Sequence, residues 1–173
     1  MGAELQNKSD NKIQKNYIQL KEDTNILKLW IRDEKGNETG EFLKFNLKDI
    51  ELPMKYQTLM EEDKKARLNL KNQLTIIDKK QDHKGKKLFS ANEEAKIKAF
   101  ADFFKKEEEI YNMFLGENGV KKILNGEALS WTSLRIIDEI IEEQIQPQLN
   151  VNAEDIKSEI MAKYSDKRDD VIE

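Results

Sequence analysis

Cysteine is absent from this 173-residue chain and histidine occurs once, at His83. Without cysteine no disulfide or thiolate metal site can form, and a single histidine cannot supply the nitrogen and sulfur ligands of a zinc site. Such a composition fits a reducing compartment. Long apolar runs are missing too. None approaches the ~20 residues that a membrane-spanning helix needs, so no membrane partner is expected. Residues 1–16 are polar and lack the apolar centre of a secretion signal, so the chain is expected to stay in the cell that makes it. Nor is there a positive excess: 30 Lys and Arg face 34 Asp and Glu, a formal net charge of −4. Proteins that live by neutralising phosphates usually carry a basic excess, which disfavours nucleic acid as the main partner.

Signatures of catalysis are equally scarce. There is no Gly-x-Ser-x-Gly elbow, no Gly-x-x-x-x-Gly-Lys-Ser/Thr phosphate cradle and no Asp-x-Asp-x-Asp-Gly calcium loop. His83 lies among lysines in a segment that reads as a solvated loop, a poor place for a general base. Gly116-Glu117-Asn118-Gly119 has the spacing of an RNA-clamping loop, but its glutamate would repel phosphate and it follows an aromatic helix, so it reads as a helix stop. With 34 acids, carboxylate pairs at glycosidase-like spacing arise by accident and identify nothing. No catalytic residue, metal ligand or cofactor is assigned. The expectation is a non-enzymatic protein that acts by binding.

What the chain does contain is patterned apolar residues among many charges: 38% of residues are apolar and 37% charged. That balance favours helices with wide solvated faces. Residues 1–24 read as a flexible polar arm. In Ile26–Arg32, Leu27, Leu29 and Ile31 alternate with Lys28, Trp30 and Arg32, the period of a half-buried strand. Residues 42–47 alternate again with Leu43, Phe45 and Leu47 on one side, and Gly36 and Gly40 between the two runs can turn the chain. The result is a hairpin over 26–47, which needs a helix to dock on because two strands alone are marginal in water.

Leu52-Pro53 opens the first helix, about 53–80, with a narrow stripe of Tyr56, Leu59, Met60, Ala66, Leu70, Leu74 and Ile77. Glu61/Lys65 and Asp63/Arg67 are i,i+4 pairs in the favourable orientation, worth about 0.3–0.5 kcal/mol each. Ser90-Ala91-Asn92-Glu93 has capping-box spacing ahead of a helix at 91–115, whose aromatic face should form the centre of the core and which Gly116 ends. A short turn at 120–124 follows. Ser130 caps a helix at 131–146 stopped before Pro147, and Asn152 caps a last short helix followed by a charged tail, together 147–173. The predicted fold is α+β and predominantly α-helical: an N-terminal β-hairpin packed on a bundle of three to four helices, forming one domain over 25–146.

Two sets of residues are candidates for contact. The apolar set is Leu59, Met60, Leu70 and Leu74 on the first helix with Trp131 and Ile141, although each taken singly also fits a place in the core. The basic set is Lys79, Lys80, Lys84, Lys86 and Lys87, a loop that could meet an acidic partner. Acidic Asp138, Glu139, Glu142 and Glu143 make the opposite pole, an arrangement that can orient a partner or a neighbouring copy.

The run Leu27-Lys28-Leu29-Trp30-Ile31, then Gly36-Asn37-Glu38-Thr39-Gly40-Glu41-Phe42-Leu43-Lys44-Phe45, leads into Asp49-Ile50-Glu51-Leu52-Pro53-Met54-Lys55-Tyr56. Together with residues 114–126 it resembles small tail assembly chaperones of phages and prophages of low-GC Gram-positive bacteria. The resemblance covers roughly residues 25–146. It implies a protein that coats the long helical tape measure chain while tail tube subunits polymerise around it, in the cytoplasm of the bacterial host. Its partners would be the tape measure or tail tube protein, with self-association as a further option. The alternatives are a structural protein retained in the virion and a nucleic-acid-binding regulator using the loop at 79–87.

Overall fold

Leucine and isoleucine at every second position decide how the first element lies. The computed structural model describes the backbone of residues 16–18 and 25–169 and the side chains of 25–163. Strand β2 (Ile26–Arg32) buries Leu27, Leu29 and Ile31, and β3 (Glu38–Asn46) buries Leu43 and Phe45 opposite them. The turn is tied by Asp33, whose Oδ1 accepts from the Lys35 and Asn37 amides at 2.9 and 2.8 Å, with Gly36 at φ +82°. Pairing slips between Trp30 and Arg32, and Gly40 takes up the irregularity at φ +80°. On the outer face the Lys28 ammonium sits 4.0 Å from the Trp30 ring centre and 3.7 Å from that of Phe42. A third strand, β1 (Asn16–Ile18), pairs antiparallel with β2. It falls inside the stretch read from sequence as an arm; the rest of that stretch lies outside the described residues.

Helix α1 (Leu52–Asp78) starts with Pro53 in its first turn and buries Leu52, Leu59, Leu70 and Ile77. Of its two expected ion pairs, Asp63–Arg67 forms at 2.7 Å. Lys65 instead turns to Glu62 at 2.7 Å, and Glu61 accepts from Gln57 at 3.1 Å. Helix α2 (Ala91–Leu115) carries the expected capping box: Ser90 Oγ accepts from the Glu93 amide and Glu93 Oε2 from the Ser90 amide. Gly116, at φ +92°, ends it. The short α3 (Gly119–Ile123) follows closely: a Cβ on Gly119 would stand 2.5 Å from Leu115 Cβ, so only glycine fits there.

The C-terminal third departs from expectation. Helix α4 (Trp131–Ile140), capped by Ser130, passes into a π turn (Ile141–Ile145) and then into α5 (Gln146–Asp169) without a break. Pro147 therefore does not stop the helix. Proline lacks an N–H and its ring crowds the carbonyl four residues earlier, and the preceding π turn changes the bonding pattern before it arrives. Gln146 already donates to the Ile141 carbonyl five residues back. Ile141, Ile145 and Leu149 stay buried through the wide turn. Asn152, expected to cap a separate helix, sits inside α5, buried, with its Nδ2 lacking a partner.

The core joins these pieces. Phe114 of α2 meets Phe45 of β3 at 5.5 Å and Tyr56 of α1 at 5.6 Å, and Leu134 and Ile137 of α4 complete the seam. Removing the Ile137 side chain beyond Cβ leaves a cavity with no solvent access. Ile137→Ala should cost about 2–5 kcal/mol in urea denaturation, whereas exposed Val151→Ala should stay within about 0.5 kcal/mol.

Candidate partner-binding surface

The six apolar contact candidates divide. Leu59, Leu70 and Ile141 are buried, and Leu74 is half-buried against the same core, so these four cannot serve as open contacts. The α1 stripe is narrow and packs along α2, while Ile141 of the α4–α5 rod joins the same core. Met60 (48% exposed) and Trp131 (46%) stay accessible, although Trp131 stacks on Phe103 at 5.0 Å with Phe104 at its edge. Leu59, Met60 and Ile141 do come together, around a cleft of about 180 Å³ between α1 and the α4–π segment.

That cleft holds a polar network. Arg67 Nε lies 2.7 Å from Asp63 Oδ1, its Nη2 3.5 Å from Asp138 Oδ2, and the Tyr111 hydroxyl donates to Asp138 Oδ1. Burial works against the Arg67 charge, but Asp63, Tyr111 and Asp138 outweigh it and hold its pKa up. Behind the network Glu107 of α2 is 0% exposed, and neither of its oxygens has a hydrogen-bond partner within contact distance. Burial, then the Asp63 charge, pushes its pKa up to about 8, with Arg67 opposing. The neutral carboxylic acid is therefore the favoured form at neutral pH. Asp138 is also raised, first by burial and against the pull of Tyr111 and Arg67. Three helices meet here: α1 supplies Asp63 and Arg67, α2 supplies Glu107 and Tyr111, and α4 supplies Asp138.

Among the described residues, no group of three or more potential ligands could hold a metal ion. The sequence signal for this network was an acid in an apolar stripe: Glu107 falls four residues after Phe103 and four before Tyr111.

The apolar surface that is open lies elsewhere. Met54 (62% exposed) and Met113 (60%) flank a groove of about 410 Å³ between α1 and α2, floored by Leu59 and Ile110 and edged by Glu51 and Lys55. Next to it Ile50 lines a second cleft, about 570 Å³, between the base of the hairpin and α5, with Leu47, Val151 and Ile156. Residues 157–163 of α5 are all exposed, so the helix leaves the body there. Methionine adapts its shape to irregular apolar partners, and apolar patches with a polar edge mark contact sites. These positions were missed because Met54 and Met113 lie off the main periodic stripes.

At the other end of the α1–α2 pair, Lys79, Lys80, Lys84, Lys86 and Lys87 are all exposed, as is His83. Leu88 stands beside them 81% exposed, and Phe89 is exposed too. Asp82 and Asn92 clip the loop: Asp82 Oδ1 accepts from the Asn92 amide at 3.1 Å, and Asn92 Nδ2 donates to the Lys80 carbonyl at 3.0 Å.

Comparison of the chain with protein-family models, with curated proteins and with solved structures finds no match. No helix among the described residues is long and apolar enough to cross a membrane.

The raised pKa of Glu107 links stability to pH. Its folded value, about 8, lies above the ordinary 4.5, so the stability it contributes is full below pH 4.5 and is lost as pH rises through 8. Within that window the loss reaches at most about 1.4 kcal/mol per pH unit. Glu107→Gln should remove this slope, gaining on the parent chain between pH 5 and 9 in urea denaturation. Parallel curves would show that Glu107 ionises freely.

Proposed function

We propose that this chain is a non-enzymatic phage tail assembly protein, a chaperone that holds the tape measure protein while the tail is built. The observation that carries the reading is the groove between Met54 and Met113, open and apolar on a chain whose helices are otherwise heavily charged. A groove of this size accepts apolar side chains from one face of a client helix, and the surrounding charge keeps the complex in solution. Ile50 and the cleft beside α5 extend the apolar path along the same end of the molecule. The resemblance of residues 27–31, 36–45, 49–56 and 114–126 to tail assembly chaperones supplies the client: a long helical chain prone to aggregate before tube subunits enclose it.

The test is co-production with the long helical protein encoded in the same gene neighbourhood. Soluble client should rise when this chain is present and fall at least fivefold with Met54→Glu plus Met113→Glu. Because both side chains are exposed, the double variant should keep the parent's melting temperature. Client that stays equally soluble without the chain would defeat the proposal. Mass spectrometry of purified particles separates the neighbouring reading: an assembly factor is absent or far substoichiometric, whereas one copy per tube subunit would make this a virion component.

A further inference from the structure

A cavity of about 390 Å³ opens between the core-facing side of the hairpin and α4. Leu29 and Leu43 from the sheet and Ile123, Ile136 and Ile140 from the helices line it. Its remaining lining is acidic: Asp33, Glu34, Glu139 and Glu143 stand against one guanidinium, Arg32. Gln144 also lines the cavity. An occupant that suits this site brings an apolar side chain with positive charge around it.

The chain carries that combination on its own surface. Leu88, the most exposed large apolar side chain among the described residues, is preceded by Lys84, Lys86 and Lys87 in the loop between α1 and α2. The loop does not fill the cavity of its own copy. Residues 79–89 are all exposed at the end of α1 remote from Tyr56 and the hairpin, so none of them is seated in a pocket of its own copy.

We propose that the lysine-flanked Leu88 loop of one copy docks into the acid-rimmed cavity between the hairpin and α4 of a second copy. The two surfaces differ, so the contact runs head to tail and generates a ring or an open filament rather than a twofold dimer. It rests on charge and apolar complementarity alone and does not depend on the chaperone reading.

Sedimentation velocity of the full chain over a concentration series tests it with a charge exchange. The loop variant Lys84→Glu, Lys86→Glu, Lys87→Glu and the rim variant Glu139→Lys, Glu143→Lys should each sediment as monomers where the parent assembles. An equimolar mixture of the two should regain assembly, because each altered loop then faces an altered rim and each native loop a native rim. Assembly of the parent should weaken at least tenfold between 50 and 500 mM salt. All five substituted side chains are exposed, so melting temperatures near the parent's verify that the variants fold. A parent that is monomeric at about 1 mM, or assembly untouched by both reversals, would overturn the proposal. Occupation of the cavity by the chain's own residues 1–15 predicts a third pattern, which also overturns it: a monomeric parent that assembles only once those residues are deleted.

Discussion

The fold hangs on Phe114. Its ring lies between Phe45 of the sheet and Tyr56 of α1, and it is itself part of α2, so one side chain ties three elements. A small antiparallel sheet does not hold its shape in water unless one face is covered. Here the covered face is Leu27, Leu29, Leu43 and Phe45, and the cover is the end of α2 where Phe114 and Leu115 sit. The glycine stop at Gly116 and the tight approach of Gly119 to Leu115 keep α3 pressed to that end. A longer α2 would carry the chain away from the sheet.

A second constraint follows from how little apolar surface α1 offers. Over 27 residues it buries only Leu52, Leu59, Leu70 and Ile77, and between Leu59 and Leu70 its inward positions are the small Ala66 and the charged Asp63 and Arg67. The Asp63–Arg67–Asp138 network and protonated Glu107 fill that gap where greasy side chains would otherwise pack. Ion pairs as open to solvent as Arg67–Asp138 add little net stability. What ties the helices in register is Asp138 of α4, which takes the Arg67 guanidinium from α1 and the Tyr111 hydroxyl from α2. α1, α2 and α4 are accordingly keyed at mid-length by polarity, and apolar packing holds the two flanks.

This division explains which features were legible in the sequence. The hairpin, both serine caps and the Gly116 stop depend on local patterns a few residues long, and the structure shows each of them. Helix continuity through Pro147 was illegible because it depends on the π turn, whose widening is held by Ile141 and Ile145 packing on distant elements. Four of the six apolar contact candidates are taken up by the core for a related reason. Periodicity identifies the apolar face of a helix but not whether a neighbour covers it, so Leu59, Leu70 and Ile141 marked the seam. Met54 and Met113, off the stripe, mark the open surface. Glu107 was hidden among 34 acids, and only its place between Phe103 and Tyr111 distinguishes it.

The open surfaces are arranged so that they need not compete. The methionine groove is built from α1 and α2, whereas the acid-rimmed cavity is built from the hairpin, α3 and the α4–π segment, and the two share no residue. A neighbour's loop in the cavity would therefore leave the groove open. Copies joined head to tail would repeat that groove at a fixed spacing, and a client helix held in one groove would meet the next at high effective concentration. Weak contacts of single apolar side chains then suffice to hold a long chain, and they release it together once the copies separate. For an assembly factor that must let go when a tube closes around its client, many weak repeated contacts serve better than one tight one. The high surface charge favours the same outcome, since it limits each contact to its small apolar centre.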